Sequence, residues 1–111
     1  MDTTDCPGVR REALAALLEH GVGCSFWLTD VDTPGDGSYR VTDLDGDVAS
    51  VSLVTVERGL YLLRSGKARM SSDLLTPLLR FDATDGREGD FDAESATALV
   101  QIGLYGRIVF G

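Results

Sequence analysis

The run Ser38–Arg64 reads SYRVTDLDGDVASVSLVTVERGLYLLR. Polar and apolar residues alternate through SYRVTDL and again through DVASVSLVTVE. Alternation places successive side chains on opposite faces of a pleated strand. Asp45-Gly46 divides the two runs, and an Asp-Gly pair between alternating strands predicts a hairpin with a type I′ turn. Arg58-Gly59 reads as a further turn. Leu60 to Arg64, LYLLR, then reads as another strand, ended by Ser65-Gly66. Upstream, Cys24 to Val31, CSFWLTDV, also alternates and is rich in residues that favour strands. The middle of the chain is therefore expected to be an antiparallel meander of about four strands.

The flanks change period. Pro7 to Gly21, PGVRREALAALLEHG, sets Val9, Ala13, Leu14, Leu17 and Leu18 on one helical face. Pro7 suits a first helical turn, and Gly21 suits the position just past a helix end. Ser72 to Phe81, SDLLTPLLRF, fits a short helix capped by Ser71 or Ser72, with Pro77 limiting or bending it. Asp82 to Asp90 is a polar loop. A helix then starts at Asp92 as N-cap, with Ala93, Ala96, Leu99, Val100 and Gly103 able to share a face. The tail YGRIVFG reads as a closing strand. The expected fold class is α+β: an N-terminal helix, the meander, one or two C-terminal helices and the last strand. Residues 1–111 form one domain, of a size that buries roughly 65% of its unfolded surface.

Asp30–Asp47, DVDTPGDGSYRVTDLDGD, holds six aspartates and three glycines, which raises the question of a calcium loop. An EF-hand loop needs oxygen ligands at alternate early positions, glycine at six and glutamate at twelve. Counting from Asp30, position five is Pro34 and position twelve is Val41. Counting from Asp43, position six is Val48 and position twelve is Val54. Both registers fail, so the aspartates read as turn formers and no metal site is expected. Asp43, Asp45 and Asp47 are the weak metal candidates, with Asp30 and Asp32 behind them. Cys6, His20 and Cys24 lack the paired short spacing of a zinc site. No nucleophile elbow, Walker or dinucleotide fingerprint occurs, and no cofactor is expected.

The formal net charge of −8 opposes nucleic acid, and the ten basic residues are scattered, with Arg10-Arg11 the sole adjacent pair. No apolar run nears the roughly 20 residues that span a bilayer, and no secretory leader is visible. A soluble cytoplasmic protein is expected. If Phe26 and Leu28 face the core, Trp27 faces outward, and Tyr39 and Tyr61 on neighbouring strands can flank it. Such an aromatic cluster on a sheet face is a good protein contact. The leading expectation is a non-catalytic protein-interaction or assembly module, binding a protein partner or itself through Trp27, Tyr39 and Tyr61. The alternative is a small-molecule-binding protein, or a motif-free enzyme of cyclase or isomerase type, with a cavity between sheet and helices.

Overall fold

The computed structural model describes residues 5–23, 25–35, 37–87 and 93–110, of which 5–9 by backbone alone. In chain order the elements are α1 (Asp5–Gly23), β1 (Leu28–Asp32), β2 (Tyr39–Asp43), β3 (Val48–Val51), α2 (Leu53–Arg64), α3 (Ser72–Ala83) and α4 (Ala93–Tyr105). The α+β class holds: among the described residues four helices accompany one antiparallel sheet of order β1-β2-β3. No helix among the described residues is long and apolar enough to cross a membrane.

The sheet follows the alternation of its sequence. Val41 pairs with Val31 on one side and Ala49 on the other, and Tyr39 pairs with Val51. Val41, Asp43 and Val51 are buried, while Arg40, Val48 and Ser50 are exposed. One face therefore meets the helices and the other meets water. The β2–β3 turn differs in type from the expected one. The Gly46 N–H donates to the Asp43 carbonyl (3.0 Å) and the Asp43 N–H to the Asp47 carbonyl (2.9 Å). Gly46 has φ +87°, whereas neither Leu44 nor Asp45 has positive φ. This is a type I turn followed by a left-handed glycine bulge.

The expected long strand stops at Val51, and the expected strand Leu60–Arg64 is helical. The meander thus has three strands, and VSLVTVERGLYLLR turns into a helix after Val51. Two features decide this. Ser52 is an extended N-cap, and its N–H donates to the Thr55 hydroxyl (3.1 Å). Val56, Gly59, Leu60 and Leu63 are buried at helical spacing. Gly59, expected in a turn, lies instead against α4. A Cβ on Gly59 would come within 2.8 Å of Leu99, and one on Gly103 would collide with the Thr55 carbonyl. The two backbones approach closely only because both positions lack a side chain. Packing has overridden the β-propensity of Val54, Thr55 and Val56.

Gly21 is a second correction. Helix α1 continues through it to Gly23, and Gly21 packs against Ala96 and Val100 of α4. Helix α3 runs through Pro77 to Ala83, with Ser71 as its N-cap. Asp92, the expected N-cap of α4, lies outside the described residues, as do Cys24 and the side chain of Cys6. Helix α4 is buried on all sides from Ser95 to Gly103, which marks it as the central element. Of the expected closing strand Tyr105–Gly111, Tyr105 closes α4 and Gly106–Phe110 form an irregular strap laid along that helix. Its backbone bonds to the Gln101 side chain rather than to the sheet.

Candidate functional site

The three aromatic residues expected to share a sheet face do not. Trp27 sits in the turn before β1 and is 0% exposed, while its neighbour Phe26 points to solvent. The inside-outside assignment at this pair is reversed. The indole N–H donates to the Thr97 hydroxyl (2.6 Å). Its ring stacks on Phe110 at 6.0 Å between centroids and meets Tyr105 edge-on at 6.0 Å. Tyr61 lies on α2, not on a strand, and is 45% exposed. Lys67 and Arg64 approach its ring within 5.3 and 5.6 Å. Tyr39 is half-buried at the start of β2.

Tyr39 lines a cleft that neither Trp27 nor Tyr61 reaches. The cleft holds about 320 Å³ and opens between α1, the β1–β2 loop and the start of α2. Ala15 and Leu18 of α1, Leu53 of α2 and Tyr39 supply apolar lining, and the loop contributes Gly37. Exposed Arg11 and Glu12 add one charge of each sign. The helical periodicity of α1 sets Ala15 and Leu18 three residues apart on one side, beside Arg11 and Glu12 one turn earlier. Such a surface can hold an apolar group and orient a polar one next to it.

The candidate metal residues form a turn. One Asp43 carboxylate oxygen accepts from the N–H groups of Asp45 (2.9 Å) and Asp47 (3.0 Å). The other accepts from the Tyr105 hydroxyl (2.7 Å). The Tyr105 bond, with those two amides, holds the Asp43 carboxyl below its ordinary value. Burial, reinforced by Asp43, pushes the Tyr105 phenol above its own. Asp30 and Asp32 are exposed on edge strand β1, and Asp45 and Asp47 are exposed in and after the turn. Among the described residues no group of three His, Cys, Asp or Glu side chains could hold a metal ion. His20 lies in the last turns of α1, with Nδ1 2.9 Å from the Ala16 carbonyl oxygen.

A second polar cluster went unseen in the sequence. The Arg10 guanidinium grips Glu57 of α2 through Nε (3.0 Å) and Nη2 (2.6 Å). It also donates to the Asp82 carboxylate (2.7 Å), the Asp82 carbonyl (3.1 Å) and Asp85 (3.0 Å). Arg64 reaches the other Asp82 oxygen at 2.7 Å. The Glu57 bond chiefly raises the Arg10 pKa. The arrangement ties α1, α2 and α3 together, and none of its residues is among those lining the cleft. The only sequence signal for it was the adjacent pair Arg10-Arg11. Gln101 left a clearer one, as the single polar residue in ALVQIGL.

No protein-family model matches the chain, and no curated protein or solved structure matches it either.

Proposed function

We propose that this domain is a non-catalytic interaction or assembly module, and that the cleft beside Tyr39 seats an apolar side chain of a protein partner or of a second copy. The cleft carries this reading. Its 320 Å³ lies at the small end of ligand sites and suits one or two side chains. Its lining is an apolar patch flanked by opposite charges, the usual pattern of a contact with a polar rim. A net charge of −8 favours a partner with a basic surface around the inserted group. Trp27 is no part of this contact, because Phe110 and Tyr105 cover it.

The test is native mass spectrometry of tagged protein taken from the cells that make it, compared with Ala15→Glu. Ala15 is exposed and lines the cleft, so the charged side chain blocks the site without entering the core. A stoichiometric protein partner or a homo-oligomer that is lost in Ala15→Glu is the expected result. A bare monomer sinks the proposal. The second reading, a small-molecule site, rests on the same apolar lining, and a bound mass of a few hundred daltons that Ala15→Glu removes would select it.

A further inference from the structure

The strap Gly106–Phe110 is neither helix nor strand, yet the molecule holds it by a constructed site. Gly106 ends α4 with φ +80°, and its N–H donates to the Ile102 carbonyl (2.8 Å). The left-handed residue turns the chain back along its own helix. Gln101, 1% exposed, then meets the strap with its whole side-chain amide. Oε1 accepts from the N–H groups of Val109 (2.9 Å) and Phe110 (2.8 Å), and Nε2 donates to the Phe110 carbonyl (3.0 Å). The Phe110 ring stacks on Trp27 with 12° between planes and meets Tyr105 edge-on at 6.2 Å. Arg107, Ile108 and Val109 are exposed.

This division of labour is that of a peptide-recognition groove. A buried amide reads backbone, which every extended peptide offers, and an aromatic slot reads one side chain. Without the strap, Gln101 would lose all three of these hydrogen bonds, and Trp27 and Tyr105 would lose their shared neighbour. We propose that Gln101, Trp27 and Tyr105 form a site for an extended segment carrying an aliphatic residue followed by phenylalanine. The chain's own Val109-Phe110 fills it in cis, and the same segment from a second copy is its exchange ligand. The strap follows α4 directly through Gly106, so its effective concentration at the groove is in the millimolar range or above. In trans the segment enters only after the cis strap is weakened. The groove is separate from the cleft beside Tyr39 and does not depend on its reading.

The test uses the full chain with Phe110→Ala and the synthetic peptide GRIVF. Trp27 is the sole tryptophan, so its emission reports the groove directly. Phe110→Ala should shift that emission to the red, and the peptide should return it to the wild-type position in a saturable titration. A peptide with alanine in place of phenylalanine should bind roughly tenfold more weakly or worse. Wild-type protein should give no response at sub-millimolar peptide. If circular dichroism shows that Phe110→Ala is unfolded, Phe110→Leu is titrated with the same readouts. Ala15→Glu, added to the Phe110 variant, should leave the titration unchanged, which separates this site from the cleft. A weakened-strap variant that ignores the peptide overturns the proposal, as does a wild type that responds equally.

Discussion

Asp82 and Asp43 are both buried, at 8% and 3% exposure, yet they are satisfied by opposite means. Asp82 lies between two guanidiniums, so formal charge meets formal charge. Asp43 accepts from two backbone amides and a phenol, and no cation is among these donors. The first cluster joins helix to helix. The second joins the β2–β3 turn to the end of α4. A planar cation with five donors suits the first, because three elements converge on one point. A carboxylate that folds its own turn suits the second, since the turn supplies amides at no further cost in order. The two regions should therefore fail under different conditions.

The largest effect is expected at Arg10. Arg10→Met leaves the Asp82 carboxylate buried with Arg64 as its remaining ion-pair partner, and should lower unfolding free energy by about 3 kcal/mol. Arg10→Lys should recover little, because one ammonium cannot reach Glu57, Asp82 and Asp85 together. Urea denaturation of both variants measures this, and losses below about 1 kcal/mol would show that Arg64 alone suffices.

Tyr105→Phe tests the other cluster through pH. The folded Asp43 carboxyl lies below its unfolded value, so its contribution is present above about pH 4 and fades as pH falls through the folded value. The Tyr105 phenol is raised in the folded state, so its contribution is complete below about pH 10 and is lost as pH rises further. The stability gap between wild type and Tyr105→Phe should thus be widest between these limits and narrow towards both ends. A gap independent of pH would mean that Tyr105 acts by packing alone. Thermal melts across the range decide it.

The smallest change should follow Glu57→Gln. The Glu57 side chain is 46% exposed, so the neutral substitution should cost about 0.5 kcal/mol at low salt and almost nothing at 1 M salt. A larger or salt-insensitive loss would move Glu57 from the rim of the Arg10 cluster to its centre.

The sequence carried the helices α1, α3 and α4 and the strands around Val41, because each repeats its apolar residues at one unambiguous period. It misled over Ser52–Arg64, where Val54, Thr55 and Val56 favour strands while Val56, Leu60 and Leu63 also fit a helix. What decided between them was the surface of α4 some forty residues later, at Leu99 and Gly103. Ser52 as N-cap and the spacing of Val56, Leu60 and Leu63 favour the helix locally, but the α4 surface they pack on is not in the local pattern. Trp27 was misplaced for a related reason. β1 begins at Leu28, so the strand alternation never included the indole. Of the expected contact residues, Tyr39 lines the cleft, and Trp27 and Tyr61 do not reach it. Arg10 and Asp82 are 72 residues apart, and nothing short of the fold pairs them.

Helix α4 touches α1, α2, α3 and β3, and its residues Ser95 to Gly103 have no face turned to water. A helix in that position cannot fray without opening its neighbours. A three-stranded sheet this short has little stability by itself, and α2 packs its buried face, Gly59 included, against α4. The molecule is thus built as one cooperative unit around a single rod. The amide protons of that rod should exchange with solvent only when the whole chain unfolds, so that hydrogen exchange there reads the global stability.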